Sequence, residues 1–243
     1  MNRISIPQLG QDPGSPFPDP ADSPHPDGLL AWGGDLHPQR LLNAYRDGIF
    51  PWYEHGSPIL WWSPEPRAVL IPGYQTHSRR LRRTLRQGRY EASLDGDFAA
   101  VMDACAAPRS EQDGTWITPA MRSAYIELHR LGHAHSVEIY PDGGGELIGG
   151  LYGVAIGKVF FAESKFHRQR DASKIALCVL MRCLETWGFL VADCQIWNPH
   201  LERLGVDLLN GEQFRTILAL GVDRKDVIGP WSNRLEGVNL RDW

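Results

Sequence analysis

The segment 158–195 restricts the fold of this chain more than any other, because it reads as a strand, a helix and a second strand in succession. Apolar residues predict strands at Lys158–Phe166 and Phe189–Ile196, and apolar residues at helical spacing predict a helix at Ala172–Trp187. A right-handed crossover through a helix makes such strands parallel and commonly adjacent. The segment therefore predicts a sheet with a parallel pair of strands.

Polar side chains interrupt this apolar pair of strands: Glu163 in the first, and Asp193 and Gln195 at the end of the second. A buried carboxylate or amide is costly unless it is paired, so these residues indicate a functional site. If the strands are neighbours, the groups meet in one cavity near the middle or carboxyl end of the strands, where open α/β sheets bind ligands. Strand alternation further predicts that Lys165 shares the face of Glu163, and Gln195 the face of Asp193.

These residue types indicate proton transfer and not covalent catalysis, because no serine or cysteine stands in a recognisable arrangement with a base. Carboxylates and an amide can position an amine, take its proton and polarise an ester. An α-amino group titrates near pH ~8, so a modest shift makes it a nucleophile at neutral pH. Spacing alone leaves an alternative open. In it, Glu163 forms a buried ion pair with Lys165 or Lys174, and loop amides satisfy the other two side chains.

The composition is that of an ordinary globular protein. Of 243 residues, 42% are hydrophobic and 22% are charged, which is enough apolar material for a sizeable core. The sequence lacks an apolar run of membrane-spanning length, and Met1–Gln8 lacks the layout of a secretion signal, so a cytoplasmic protein without membrane contact is expected. The four cysteines show no metal-ligand spacing and are expected to be buried free thiols. No metal and no cofactor are expected.

One basic segment contrasts with the net charge of −4, because residues 77–89 contain six arginines and no acid. On a helix, four of these arginines fall at i, i+3, i+4 and i+7 and form one stripe. The members of this arginine stripe are Arg79, Arg82, Arg83 and Arg86. The stripe predicts contact with the phosphates of a polyanion, and a solvated helix face is the alternative.

The chain is predicted to divide into a small N-terminal domain, 1–65, and a larger domain, 66–243. Residues 7–27 are rich in proline and aspartate and predict an extended arm, and residues 28–48 predict a turn followed by a helix. Further predicted helices are 78–86, 98–106, 119–131 and 212–220. Further predicted strands are 67–71, 134–140 and 146–156, with a hairpin turn at 141–145 and aromatic loops or short strands at 49–53 and 60–64.

Specific motifs are spread along nearly the whole chain, among them Phe-Ala-Glu-Ser-Lys-Phe at 161–166 and Asp-Cys-Gln at 193–195. The others are 17–20, 28–36, 44–53, 60–67, 115–117, 134–138, 145–154 and 171–174. In kind and in order, these motifs resemble those of the leucyl/phenylalanyl-tRNA–protein transferases. So many separate matches in one order make the resemblance specific.

The resemblance implies an α+β fold in which a small N-terminal domain packs on a GNAT-like acyltransferase domain with a mixed central sheet. It also implies transfer of leucine or phenylalanine, less often methionine, from aminoacyl-tRNA to the N-terminal Arg or Lys of acceptor proteins, which marks them for degradation. The expected partners are charged tRNA and such proteins, and the expected form is a monomer.

The resemblance also implies roles for individual residues. Gln195 would accept a proton from the attacking α-amine, Asp193 would polarise Gln195, and Glu163 would hold the aminoacyl-adenosine end, although the division of work among them stays open. Trp52 and Trp116 are expected beside the terminal adenosine, where stacking on a base is worth ~1–3 kcal/mol. The residues expected around the transferred side chain are Leu151, Lys165 and Leu177.

Departures from the family pattern concern the substrate, because Ala162 replaces a usual glycine and Lys165 a usual methionine. They bear on the choice of amino acid more than on the reaction. One alternative function is a non-catalytic module that binds charged tRNA or peptides beginning with Arg or Lys. A second is an acyl-CoA transferase of the same fold. The turn 168–172 disfavours it, because this turn has no glycine and offers Asp171 where a pyrophosphate should sit.

Overall fold

The computed structural model describes residues 5–23, 25–108, 115–225, 228–235, 238 and 243. Its helices are α1 (Pro38–Arg46), α2 (Arg79–Gln87), α3 (Phe98–Ala106), α4 (Pro119–Arg130), α5 (Ala172–Thr186), α6 (Pro199–Glu202) and α7 (Gly211–Gly221). Its strands are β1 (Gln8–Leu9), β2 (Leu29–Gly33), β3 (Phe50–Pro51), β4 (Leu60–Trp62), β5 (Arg67–Leu70), β6 (Tyr90–Leu94), β7 (Ala134–Pro141), β8 (Gly149–Ile156), β9 (Val159–His167), β10 (Val191–Asp193) and β11 (Asp207–Leu209). Within the described ranges, no helix is long and apolar enough to cross a membrane.

Two mixed sheets organise these strands. The first has the order β1-β2-β4-β3, and the second has the order β11-β5-β10-β9-β8-β7-β6. Strands β9 and β10 are parallel neighbours, in register at Val159 with Val191 and at Phe161 with Asp193, which confirms the prediction from the strand–helix–strand pattern. The other pairs of the second sheet are antiparallel. The predicted α+β class with a mixed central sheet is thereby confirmed.

Helices cover both faces of the second sheet, and each face has its own apolar core. On one face, called the α1 face here, α1, α3, α4 and the first sheet pack around Tyr45, Tyr125 and Phe161. On the opposite face, the α5 face, α5 with its Leu177 and α2 form a core that includes Leu151 of β8. Burial of apolar surface on both faces is the main force that holds the layers together.

Helix α1 begins and ends where its sequence requires. Pro38 occupies the first turn, where its missing N–H would have no helical partner in any case. Just beyond the other end, Gly48 adopts φ +72°, and a Cβ at this position would lie 2.8 Å from the Phe214 ring. Glycine fits this turn without strain because it has no Cβ. The helix thereby holds the fully buried Tyr45 against the second sheet.

A β-bulge in β9 places Glu163. Ala162 pairs with Gly153 of β8, whereas Ser164 pairs with Tyr152, the residue next to Gly153. Glu163 is therefore the extra residue of β9. Such an insertion bends the strand and resets which side chains point to which face.

The bulge reverses the alternation of side chains along β9. Phe161 and Phe166 pack in the same core. They are five positions apart, so regular alternation would place them on opposite faces. Lys165 pairs with Leu151, whose side chain belongs to the α5 face. The expectation that Lys165 shares the face of Glu163 is therefore wrong, because regular alternation does not survive an inserted residue.

Strand β10 is shorter than the predicted 189–196. It ends at Asp193, and Gln195 adopts φ +56°, a left-handed conformation that an extended strand cannot contain. The carboxylate of Asp193 stabilises this turn, because its Oδ1 accepts the backbone N–H of Gln195 at 2.9 Å. Gln195 lies in a turn and not in the strand, so the expectation that it shares a strand face with Asp193 is wrong.

Candidate active site

The carboxylate of Glu163 is bound by two tyrosines of the α1 face. The Tyr45 hydroxyl donates to Oε1 at 2.6 Å, and the Tyr125 hydroxyl donates to Oε2 at 3.3 Å. The two hydroxyls also contact each other. Burial raises the pKa of both tyrosines well above the ordinary value, so both remain protonated donors at neutral pH. The carboxylate thus rests on two rigid donors, one from α1 and one from α4.

The pKa of Glu163 is raised to about 7, chiefly by burial. The hydrogen bonds from the tyrosines lower the pKa, while the nearby charge of Asp193 raises it further. A carboxyl with a pKa close to the working pH can both accept and return a proton. The residue as a whole keeps some exposed surface, while its carboxyl group lies in buried surroundings.

Asp193 is neutralised by an arginine from the neighbouring strand. Arg67 donates from Nε to Oδ1 at 2.8 Å and from Nη2 to Oδ2 at 2.7 Å, and both side chains are almost fully buried. The guanidinium lies 5.1 Å from the Phe50 ring centre and 4.6 Å from that of Phe214. Among the described residues, Arg67 Nη1 has no hydrogen-bond partner. A bidentate pair of this kind fixes Asp193 in one orientation.

Gln195 is held by its backbone on both sides. Its N–H donates to Asp193, and its carbonyl accepts the N–H of Ala68 at 3.1 Å. The N–H of Cys194 donates to the Ala68 carbonyl at 2.8 Å, which continues the contact between β5 and the turn. The Gln195 side chain is half-buried. Asp193 therefore acts on Gln195 through the main chain, and the turn is rigid.

The structure places two of the three candidate catalytic residues, Glu163 and Asp193, on one face of the sheet, and Gln195 in the turn that follows Asp193. Glu163 and the Arg67–Asp193 pair both belong to the α1 face, and both charges of the pair affect the pKa of Glu163. The turn at Gln195 follows directly, beside the part of β9 that extends past the end of β10. Acid, ion pair and amide therefore belong to one neighbourhood.

The residues expected around the transferred side chain lie on the other face. Leu151 and Leu177 are buried in the core of the α5 face, and Lys165 is the register partner of Leu151. Lys165 also lies near the thiol of Cys194, whose pKa burial raises to about 12 while the lysine charge lowers it. These residues cluster with one another, and β9 separates them from the carboxylate of Glu163.

The expected adenosine contacts have different environments. Trp52 is 43% exposed, lies 5.8 Å from the Trp62 ring, and accepts the indole N–H of Trp62 on its carbonyl at 2.8 Å. Trp116 is half-buried against the core of the α1 face, two residues before Thr118, which caps the helix that carries Tyr125. An exposed indole supported by another indole is suited to stack on a base.

The arginine stripe is displayed on the outside of α2. Leu81 and Leu85 are buried beneath the helix, so the opposite side faces solvent. The four arginines line an open groove of about 480 Å³ together with Gln87. This arginine groove carries several cations on one helix face and suits a polyanion.

Sequence reasoning missed Arg67, Tyr45 and Tyr125. Arg67 could have been identified by the same signal as Glu163, because it is a charged residue at the start of an apolar strand. The tyrosines carried no such signal, since each reads as an ordinary apolar-face residue of a helix. Their role depends on where α1 and α4 cross β9, which only the fold reveals.

Comparisons with known proteins identify the family to which the chain is similar. The family model described as leucyl/phenylalanyl-tRNA protein transferase matches residues 69–219, and the model of its N-terminal domain matches 34–65. A leucyl/phenylalanyl-tRNA–protein transferase of Pseudomonas putida (strain W619) is 55% identical over 199 residues, 82% of this chain and 87% of that protein. The protein of the same name from Xanthomonas campestris pv. campestris (strain 8004) is 51% identical over 237 residues, 96% of this chain and 94% of that protein. Among solved structures, L-PGS from Bacillus licheniformis aligns with 81% of this chain and 74% of its own, at a TM-score of 0.42 and 8% identity.

Proposed function

Since the chain belongs to the leucyl/phenylalanyl-tRNA–protein transferase family, we propose that it transfers leucine or phenylalanine, less often methionine, from aminoacyl-tRNA to an acceptor protein. The acceptor begins with Arg or Lys, and the transfer marks it for degradation. The observation that carries this proposal is a carboxyl of pKa about 7, on the same sheet face as an ion pair that fixes the Gln195 turn. The Glu163 carboxylate, when ionised, also favours a cationic acceptor, since Arg67 neutralises Asp193.

The reaction needs no covalent enzyme intermediate, because the aminoacyl ester is already activated. The α-amine nitrogen attacks the ester carbonyl, a C–N bond forms, and the bond from the carbonyl carbon to the ribose oxygen breaks. The amine loses a proton, and the ribose oxygen leaves as a hydroxyl after gaining one. One group that takes up a proton and then returns it can serve both halves of the reaction.

We assign this proton to Glu163, with Gln195 orienting the amine through its side-chain oxygen. The resemblance alone gives the proton to Gln195, but an amide oxygen is a far weaker base than a carboxylate whose pKa is about 7. The tyrosines stabilise the carboxylate between transfers. Asp193 and Arg67 act as positioning residues, because they hold the backbone turn at Gln195.

Substrate contacts follow the same proposal. Trp52 and Trp116 stack on the terminal adenosine. For the transferred side chain to pack against Leu151, Lys165 and Leu177, the aminoacyl group must cross to the α5 face beyond the end of β10, because Glu163 lies on the α1 face. The arginine stripe binds tRNA phosphates, and this contribution should weaken with salt.

We also propose an architecture and a cellular setting. Residues 1–65 form the small N-terminal domain, and 66–243 form a GNAT-like domain; the first sheet ends before residue 65 and the second begins after it. The protein acts as a monomer in the cytoplasm, where reduced thiols persist, and its four cysteines, all among the described residues, form no disulfide.

A transfer assay tests the function directly. Labelled Leu-tRNA or Phe-tRNA is mixed with purified protein and a peptide beginning with Arg, and a peptide identical except for an initial Asp serves as the control. Label should enter only the Arg peptide, and Gln195→Ala should slow its entry. Binding of charged tRNA without transfer to the Arg peptide would favour the non-catalytic module instead.

A further inference from the structure

We propose that a second cleft, on the other side of α2 from the arginine groove, binds one backbone phosphate of the tRNA acceptor arm. This inference rests on the proposed function for the identity of the ligand. The cleft has a volume of about 300 Å³ and lies between the starts of α2 and α5 and the end of β9. The polar residues that line it and enter the argument are Ser78, Arg80, His167, Arg170, Asp171 and Lys174.

The cleft keeps an excess of positive charge. The carboxylate of Asp171 pairs with Arg80 at 3.2 Å and with Lys174 at 2.9 Å. The exposed Arg170 adds a third cation to the same lining. Three cationic side chains therefore surround a single carboxylate, so one further anion improves the balance of charge.

The backbone explains why the carboxylate lies inside the cleft. Asp171 precedes α5 in the position of an N-cap, yet its side chain makes no capping hydrogen bond, and its φ is +64°. An aspartate at this position ordinarily bonds the first N–H groups of the helix. Here the left-handed conformation turns it toward the two cations. Asp171 thus holds Arg80 and Lys174 in place while no ligand is bound.

Two helix starts strengthen the preference for an anion. Ser78 caps α2 through its hydroxyl, which accepts the N–H of Leu81 at 3.2 Å. The first turns of α2 and α5 both border the cleft, and the amino end of a helix carries partial positive charge. The side-chain cations carry the proposal, and the helix ends add to it.

The location fits a nucleic acid that reaches Glu163 with its end. His167 closes β9 four residues after Glu163, which at the rise of a strand is roughly 13 Å. Arg80 belongs to the same helix as the arginine stripe, so the cleft and the arginine groove border one helix of the α5 face. The carboxylate of Glu163 points to the other face, so a single strand with its terminal adenosine at Glu163 would have to pass the exposed end of β9 at His167, which also lines the cleft.

A single phosphodiester suits this cleft better than a pyrophosphate does. The carboxylate of Asp171 is only 12% exposed and occupies the space between two of the cations. A second phosphate group would be placed against this like charge. The internal carboxylate therefore selects against ligands that carry a pyrophosphate, such as coenzyme-like molecules and nucleoside diphosphates.

The proposal is tested by measuring the Kd of a purified, deacylated, fluorescently labelled tRNA and the salt dependence of its binding. Arg170→Ala should raise Kd roughly threefold to tenfold at low salt and reduce the slope of log K against log salt by about 0.7 to 0.9. The matched control is Arg130→Ala on α4, which removes an exposed arginine from the opposite face of the sheet. The control should change neither quantity. Equal binding by Arg170→Ala and wild type would overturn the proposal.

The Asp171→Asn substitution distinguishes a phosphate-binding site from a purely structural role of Asp171. Asparagine tolerates the left-handed conformation, and it removes the internal anion, so tRNA should bind more tightly. Weaker tRNA binding together with a lower Tm would show that Asp171 only fastens α2, and would overturn the proposal. If inorganic pyrophosphate competed with labelled tRNA as effectively as tRNA fragments do, the choice of a phosphodiester as the ligand would be overturned.

A minimal donor distinguishes failure of the cleft from failure of the function. Leucyl-adenosine has no phosphate, so transfer from it by the wild-type protein tests the reaction without the cleft. Arg170→Ala should raise KM for charged tRNA more than KM for leucyl-adenosine. Equal effects on both donors would refute the phosphate site and leave the proposed transferase function standing. If the wild-type protein transferred leucine from neither donor, the proposed function itself would be refuted.

Discussion

Glu138 in β7 and Glu163 in β9 are glutamates of the same sheet, but different groups surround their carboxyls. Glu138 accepts the Ser93 hydroxyl at 2.6 Å, the Gly96 amide at 3.2 Å and the Ser136 hydroxyl. Within the described part of the chain, Glu163 accepts hydrogen bonds from phenolic hydroxyls only, both from the α1 face. Burial raises the pKa of both carboxyls above the ordinary range.

Access is what separates the two residues. Glu138 has no exposed surface, and three local donors satisfy it. Glu163 is half-buried, in the part of β9 that continues past the end of β10. A raised pKa alone therefore does not mark a catalytic group; it must coincide with a way in for the substrate.

The comparison is tested most strongly by the same substitution at both positions. Glu163→Gln should lower kcat/KM for transfer by about 10²- to 10⁴-fold, because it removes the proton acceptor and keeps the shape. Glu138→Gln, the matched control, should keep kcat/KM per folded molecule within a few fold. Steady-state transfer of leucine to an Arg peptide measures both. Comparable losses in the two variants would mean that Glu163 is a structural carboxyl like Glu138.

A third buried carboxylate extends the comparison, since Asp193 is neutralised by a charge and not by hydroxyls. Arg67→Met should destabilise the fold by about 3–5 kcal/mol, because it leaves the aspartate buried without its partner. Urea unfolding at pH 7 measures the loss. Adding Asp193→Leu to this variant should recover most of the stability. A loss below about 1 kcal/mol, typical of exposed ion pairs, would show that water reaches Asp193.

The stability of the fold should depend on pH through Glu163. Its pKa is about 7 in the folded protein, whereas an unperturbed glutamate titrates near ~4.3, so the folded state favours the protonated form. The stabilising contribution is complete below the unfolded value and is lost as pH rises through the folded value. Glu163→Gln stays neutral and should therefore be more stable than wild type at pH 8 by about 1–3 kcal/mol, with no gain at pH 4.5. Tm values at both pH values check this, and an equal gain at both would contradict it.

The smallest expected effect concerns the tyrosines. Tyr45→Phe removes a hydrogen bond that lowers the pKa of Glu163, so the rising limb of kcat/KM against pH should move to higher pH. The shift should be about one pH unit, because a hydrogen bond to a carboxylate is worth ~1.5 kcal/mol or more and Tyr125 still donates to Glu163. Tyr140→Phe, at a half-buried tyrosine beside Glu138, serves as the control. A limb that stays in place would show that Tyr45 has no part in setting this proton affinity.

Sequence patterns predicted the elements that carry strong periodicity. Helix α3 has the predicted bounds, and the parallel pair β9–β10 follows from the crossover rule. Strands β2, β6 and β11 escaped prediction because they are short or mix polar with apolar residues, so their pairing depends on neighbours distant in the sequence.

The site was predictable in its residue types but not in its geometry. A charge inside an apolar strand identified Glu163 and Asp193, since burial cost is a local property of the sequence. The bulge at Glu163 and the left-handed turn at Gln195 depend on register with β8 and on the Asp193 carboxylate. Neither leaves a local signature, so the sequence assigned Lys165 to the wrong face.

The inserted residue of β9 also lets two properties of the enzyme evolve separately. The carboxylate and position 165 project to opposite sides of one strand, and the roles proposed for them are proton handling and selection of the transferred amino acid. A substitution at position 165 can then change which amino acid is accepted while the tyrosine-bound carboxylate keeps its surroundings. Removing one residue from the preceding stretch 159–162 would instead rotate the strand and disturb both properties at once.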